Sequence, residues 1–406
     1  MLKTTFKTRH VNLQSYEDGS FKRIFNEHWP AYKAWYQAKL TDAGNSKLLK
    51  QAERQLANSM PEMMPIYENL REVSNDCPVA AHFFTGYQPP AYLVNCSQAI
   101  LIDDEPMLIR NYDLSPTLSE NLISRTDYLG QSIIGTNECL WGLDDGMNQA
   151  GLAASLTFGG SNKVGKGFGI PYIMRYVLQT CETVKQAISV LQRIPSHMAY
   201  NVTLLDKNGN FATVMLAPDQ AAIVTREPCI TNHQQHITWP EQAAFSKTIE
   251  RKEFLEKLLS KKMLKKSELR KAFMKKPLHS TNYTQNFGTV FTAIYQPTKG
   301  DLSYHWPNEK PLKQSFEQFV EQDRIIDLGA ISSQITQDTY QQQPASEFIP
   351  INERKTLLMT LDFLPSQSSE QRNSLTSLKQ HLKTDYALSW AEYGMRLNSI
   401  YRHTYL

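Results

Sequence analysis

Apolar and polar positions along the 406 residues fall into three stretches with different periods. In the first, Phe21, Ile24, Phe25, Trp29, Tyr32, Trp35 and Tyr36 recur at helical spacing, with Lys and Glu between them. Asp42, Gly44, Asn45 and Ser46 break the pattern; Leu48, Leu49, Ala52 and Leu56 resume it, and Pro61 and Pro65 punctuate its end. Residues 1 to about 75 therefore read as helical, with an aromatic stripe that suits core packing better than a membrane-surface or partner-binding helix.

The middle stretch is strand-like. Ala99 to Ile102 is an apolar run, Asp103, Asp104, Glu105 and Pro106 supply turn chemistry, and Met107 to Ile109 return, delivering Arg110, Asn111 and Asp113. Ser132–Thr136 and Cys139–Gly142 read as strand edges around Gly turns, and Gly151–Phe158 as a buried strand. Pro171 suits the first turn of a helix to about Gln179. A second helix carries Val184, Ala187, Ile188 and Leu191 on one face and stops before Pro195. Tyr200–Leu205 and Phe211–Leu216 flank an Asn-Gly turn, a hairpin signal, and Ala221–Thr225 leads to Thr231-Asn232. Residues 246–276 form a Lys/Arg-rich helical hairpin, expected to be solvated. A site there for an anionic acyl donor is the weaker reading. Gly288–Tyr295 and Leu302–Trp306 add strands. In the third stretch, Gln334–Gln343 reads as a polar linker and Leu375–Tyr401 as helix. The expected division is a helical segment 1–95, a catalytic domain 96–330 and a linker with a helical tail 331–406.

Composition narrows the function. A net charge of +3 and a pI near 8.4 are too mild to imply nucleic acid, and no apolar run is long enough to span a bilayer. The N-terminus lacks the apolar core of a secretory signal. The five cysteines are scattered without CxxC spacing, so neither a zinc site nor a disulfide framework is expected. A cytoplasmic, reduced protein follows as the expectation. Gly160 to Lys166 matches the first part of a P-loop, but Gly167 stands where Ser or Thr would hold magnesium, and the next helix starts only at Pro171. This stretch reads as a loop over a pocket mouth, and no cofactor is expected.

The candidate chemistry lies at Cys96. The hairpin should bring Arg110 and Asp113 back beside it, and a thiol near a fixed cation and a carboxylate can be an activated nucleophile. A lone Cys is otherwise a small buried hydrophobe.

Cys96, the hairpin and Arg110-Asn-Tyr-Asp113 resemble the start of the catalytic chain in N-terminal-nucleophile (Ntn) amide hydrolases. The branch resembled holds choloylglycine hydrolases, penicillin V acylases and the acyl-coenzyme A:6-aminopenicillanic-acid acyltransferases. Asp145-Gly-Met-Asn-Gln-Ala-Gly-Leu152, Gly169–Tyr176 and Thr231-Asn232 fit the same pattern in the same order, over roughly Asp76 to Pro307. The resemblance implies an α+β fold, the αββα four-layer sandwich, here with added N- and C-terminal helical segments. It also implies that the chain cuts itself before Cys96, and that the released segment stays bound as a small subunit. The new α-amino group, ordinarily near roughly 7.7–8.0, would then accept the proton of the thiol. By the same resemblance Asp113 holds that amino group, Arg110 is the cation beside the thiolate, Asn232 is the side-chain oxyanion donor, and Thr157 sits where bile-salt hydrolases have a second oxyanion contributor. Asn148 reads as a turn residue. Asn95 departs from the Gly that more often precedes the Cys. The second, late Arg of the bile-acid branch is not found around Ser280 to Phe291, which moves the reading toward the acyltransferase-like branch.

The expected function is thus a self-processing amidohydrolase or acyltransferase. Its partner would be a small-molecule acyl amide or a thioester donor, handled through an acyl-Cys intermediate. A heterodimer of the cut fragments is expected, and a homo-oligomer stays open. Two rivals remain: an uncleaved, non-catalytic binding module of the same fold, and a papain-like hydrolase using His233 or His236 as base. His233-x-x-His236 is too little for a metal site.

Overall fold

The computed structural model describes residues 5–331 except 14–18, 41, 43, 92–93, 117 and 284–286, and beyond them a few scattered positions and the helix Ser369–Thr384. The Gln-rich linker expected at 334–343 and the tail beyond 384 lie outside the described residues.

Among the described residues, fifteen strands form two sheets. The chain gives β1 (Thr5–Leu13), helices α1 (Ser20–Lys39), α2 (Ser46–Ser59), α3 (Met64–Val73) and α4 (Pro78–Phe84), then the hairpin β2 (Asn95–Leu101) and β3 (Met107–Leu114). Strands β4 (Leu122–Tyr128), β5 (Gln131–Glu138), β6 (Gly142–Asn148) and β7 (Leu152–Phe158) follow, then α5 (Ile170–Thr180) and α6 (Val184–Arg193). Next come β8 (Tyr200–Asp206), β9 (Phe211–Leu216), β10 (Ile223–Thr225) and β11 (Cys229–Ile230), then α7 (Pro240–Ser246), α8 (Thr248–Leu259) and α9 (Lys266–Phe273). Strands β12 (Gly288–Gln296), β13 (Asp301–His305), β14 (Leu312–Ser315) and β15 (Gln322–Asp327) complete the set. The larger sheet runs β10-β9-β8-β7-β6-β5-β4-β1-β15 and the smaller β11-β2-β3-β12-β13-β14.

The sheets pack face to face, with β2 against β7, while α5 and α6 cover the outer face of the larger sheet and α8 and α9 that of the smaller. This is the four-layer αββα arrangement that the resemblance implied, each layer covering the apolar face of the next. Strands β6, β7 and β8 are buried along their whole length, as strands inside such a stack must be. The Asn-Gly turn is present, with Gly209 at φ 77°.

The N-terminal segment departs from the expected all-helical reading. Its aromatic stripe does form a helix, and Phe25 and Trp29 pack on Phe83 and Phe84 of α4. Before it, however, Thr5–Leu13 is a strand inside the larger sheet, parallel to β4 and antiparallel to β15. The reason is local: Phe6, Thr8 and His10 alternate inward against Lys7 and Arg9, a period of two. Strand β1 therefore helps complete the larger sheet, while the helices that follow it pack beside it.

Asn148 ends β6 and ties the layers together. Its Nδ2 donates to the Leu178 and Cys181 carbonyls, 2.9 and 2.6 Å away at the end of α5, and its Oδ1 accepts from Leu152 N at 2.9 Å. Asn148→Ala strands three buried backbone groups, so chemical denaturation should show a loss of about 2–3 kcal/mol. A variant as stable as the parent would refute this structural role.

Candidate active site

The hairpin register places the site. Cys96 faces Tyr112, Gln98 faces Arg110 and Asn95 faces Asp113 across β2 and β3. Successive side chains point to opposite faces, so Cys96, Gln98, Arg110 and Tyr112 share one face. It is the face toward the larger sheet: Gln98 Nε2 donates to Thr203 Oγ1 at 2.7 Å, and Arg110 Nη1 to Asp145 Oδ2 at 2.8 Å and the Asp144 carbonyl at 3.1 Å. Arg110 is fully buried, its guanidinium over the Tyr112 ring, and its Nη2 donates to Cys96 Sγ at 2.9 Å. The cation expected beside the thiol is there.

Asp113 lies on the other face, with Asn95, Ser97 and Asn111. Its Oδ1 accepts from Thr289 Oγ1 at 2.6 Å and its Oδ2 forms an ion pair with Arg251 at 3.6 Å. Burial pushes its carboxyl up to about 6, against the opposing pull of Arg251, Thr289 and Arg110. A raised carboxyl stabilises the fold while protonated. The uncut chain should therefore lose stability relative to Asp113→Asn as pH rises from near 4 to about 6, with no further divergence above. Urea titrations of both proteins across that window test this, and parallel curves would refute it.

Asn232 follows β11, which pairs with β2. It is fully buried; its Oδ1 accepts from Cys96 N at 3.0 Å, and its Nδ2 points toward the Val94 carbonyl, 3.5 Å away. Gly160, at φ 77°, lies directly against it: a Cβ there would come within 2.7 Å of the Asn232 carbonyl oxygen. The loop from Gly159 to Gly169 thus braces the Asn232 turn. Its following helix begins at Ile170, four residues past Lys166, unlike a P-loop. Thr157 stands one step back: its hydroxyl donates to the Thr231 carbonyl at 2.9 Å and accepts from Asn201 Nδ2 at 3.0 Å.

One site residue escaped the sequence reading. Arg251, one turn into α8, is buried at 3% exposure. Its Nη1 donates to the Cys96 carbonyl and to Ser97 Oγ, both at 2.7 Å; its Nη2 donates to Asn232 Oδ1 at 2.7 Å, and its Nε to the Ser246 carbonyl at 2.8 Å. The basic hairpin is thus not merely solvated: Thr248, Arg251, Leu255 and Leu258 form its inward stripe.

The thiol itself is fully buried, and burial pushes it up to about 12; Arg110 opposes this, while Asp113 and Asp144 add to it. Burial thus favours the protonated thiol. No histidine among the described residues hydrogen-bonds Cys96. His233 Nδ1 is engaged by Thr248 Oγ1 at 2.8 Å, and His236 is exposed, so neither candidate base of the papain-like reading is hydrogen-bonded to the thiol. No group of metal-binding side chains occurs among the described residues.

A family model, the acyl-coenzyme A:6-aminopenicillanic acid acyl-transferase family, matches residues 101–311, just over half of the chain. The chain belongs to this family. The matched span takes in Arg110, Asp113, Thr157 and Asn232 and begins just after Cys96. No curated protein matches the sequence. Solved structures similar to it include penicillin V acylase from Agrobacterium tumefaciens (14% identity, 58% of this chain and 93% of that one, TM-score 0.35). A second is the Caenorhabditis elegans ortholog of N-acylethanolamine-hydrolyzing acid amidase (15%, 57% and 99%, TM-score 0.38). A third is a mutant of conjugated bile acid hydrolase from Clostridium perfringens (12%, 57% and 96%, TM-score 0.35). At these scores the likenesses carry no argument about mechanism. Family membership supports an amide hydrolase or acyltransferase of the Ntn type, and no helix among the described residues is long and apolar enough to cross a membrane.

Proposed function

We propose that this protein is a self-processing Ntn amidohydrolase or acyltransferase with Cys96 as nucleophile, acting on a linear acyl amide or a thioester donor. The observation that carries this reading is the grip on Cys96: Arg110 on its sulfur and Asn232 on its nitrogen, both from within the family span. In the first step Sγ attacks the Asn95 carbonyl carbon. The thiol proton passes to the Cys96 nitrogen as the C–N bond breaks, leaving a thioester. Water hydrolyses it to an Asn95 carboxylate, a free thiol and a free α-amino group. That amine then takes the thiol proton in each turnover as Sγ attacks the substrate carbonyl carbon. The C–N bond of the amide (or C–S bond of a thioester) breaks, the leaving amine or thiol departs with that proton, and water or an amine then takes the acyl group from Sγ. Arg110 favours the thiolate, and an Asn232 donor aimed at the developing alkoxide is worth roughly 2.7–4 kcal/mol.

Cutting at this point need not separate the pieces. Strand β1 sits between β4 and β15, and Tyr32 of α1 hydrogen-bonds both Glu120 and Glu138 in the core. A bound heterodimer of 1–95 and 96–406 follows from this reading. All five cysteines are unpaired, which suits a reducing compartment such as the cytoplasm. Intact mass under denaturing conditions tests the proposal: two fragments, Met1–Asn95 and Cys96–Leu406, are expected. A whole chain with a thiol inert to alkylation would favour the binding-module reading.

A further inference from the structure

Asn232 is useful as an oxyanion donor only if its amide is turned with Nδ2 outward, and an amide can flip by 180° with little change in shape. Two donors hold its Oδ1: the Cys96 main-chain N–H at 3.0 Å and Arg251 Nη2 at 2.7 Å. Each demands an acceptor at that position; a flipped amide would set its own NH2 against them. The two differ in what happens on cutting. An amide N–H can only donate, whereas the neutral α-amino group that replaces it has a lone pair and can also accept. Once Cys96 is a chain terminus, its nitrogen tolerates either amide orientation. A guanidinium cannot accept under any condition.

We infer that Arg251 is a positioning residue that fixes the amide orientation of Asn232, and that it becomes the group enforcing that orientation once the chain is cut. The geometry supports a dedicated role. Nε is anchored to the Ser246 carbonyl at the end of α7, and the left-handed Lys247, at φ 50°, turns the chain sharply into α8 so that Arg251 reaches the site within one turn. Nη1 holds the Cys96 carbonyl and Ser97 Oγ, so the fork spans both the nucleophile's main chain and the oxyanion donor. The Asp113 carboxylate, 3.6 Å away, balances its charge.

This inference rests on the proposed nucleophile chemistry and makes a distinctive demand. In the uncut chain the Cys96 N–H still orients Asn232, so self-cleavage should be slowed far less than turnover. Three variants, Arg251→Gln, Arg251→Lys and Asn232→Ala, together with the Arg251→Gln/Asn232→Ala double variant, are compared by intact mass for cutting and by hydrolysis of a linear N-acyl amide of a fluorogenic amine. Arg251→Gln should cut to completion yet lose about 10²-fold in kcat, with KM changed little. Arg251→Lys, which keeps one donor and the charge, should recover part of the loss. The double variant should be no worse than Asn232→Ala alone, because both changes remove the same interaction. Additive losses, or equal losses in cutting and turnover, would overturn the positioning role. If the wild-type protein neither cuts nor hydrolyses the amide, the nucleophile reading falls first, and this inference with it. A wild type that does both beside an unimpaired Arg251→Gln variant refutes Arg251 alone.

Discussion

Cys96→Ala should stay whole at 406 residues under conditions where the wild type splits, and should show no turnover of a linear amide. The fall is expected to be on the order of 10⁴–10⁶-fold, the scale of removing a nucleophile that acts as a unit with its base. On the proposed mechanism two losses coincide, because one residue supplies both reacting groups. Without Sγ the Asn95–Cys96 bond has no attacker, so the α-amino base is never released. The fold should survive: Cys96 fills a small buried space, and Ala removes one sulfur whose hydrogen-bond partner, Arg110, keeps Asp145 and the Asp144 carbonyl. Circular dichroism and denaturant midpoints should therefore lie close to wild type. A whole, well-folded Cys96→Ala chain that still hydrolyses the amide would sink the nucleophile assignment, whatever else the protein does.

The hairpin and its thiol were legible because the signals are short-range. Apolar runs on either side of Asp103–Pro106 specify a two-stranded turn, and its register alone brings Arg110 two residues along from Cys96's partner. The same alternation carried information that the sequence reading did not use. Arg110 and Asp113 differ by an odd number, so on one strand they cannot share a face. One touches the thiol and the other faces α8. Arg251 was hidden for a different reason. It lies 155 residues from Cys96 in a stretch dominated by Lys and Glu, where charge reads as solvation. Only the spacing Thr248, Arg251, Leu255, Leu258 marks it as inward, and a polar residue on an apolar stripe shows that a partner exists without saying which. β1 was missed because the strong aromatic period that follows it masked the short alternation over Phe6–His10. The four layers, by contrast, were implied by the resemblance, and the order of strands and helices suits them, since each layer must cover the apolar face of the next.

Arg110→Met should cost about 3–5 kcal/mol of stability, the scale expected when one partner of a buried ion pair is removed. Arg110 and Asp145 are both fully buried, 2.8 Å apart. Asp145 Oδ1 keeps the Tyr295 hydroxyl at 2.7 Å, but Oδ2 would lose its cation. Nearby Asp144, whose carboxyl burial raises to about 7 against the pull of Arg110, would lose the same counter-charge. The Met side chain fills much of the aliphatic volume, so the loss measures charge rather than cavity. Adding Asp145→Asn should restore a large part of the stability, because the ion-pair partner that Arg110 leaves behind is then neutral. It should restore no turnover, because the thiolate still lacks its cation. Denaturant unfolding of the single and double variants separates these contributions. A single variant as stable as wild type would mean that water or a shifted carbon skeleton replaces the cation. In that case Arg110 would serve the sulfur alone and not the sheet-to-sheet contact on which the site is built.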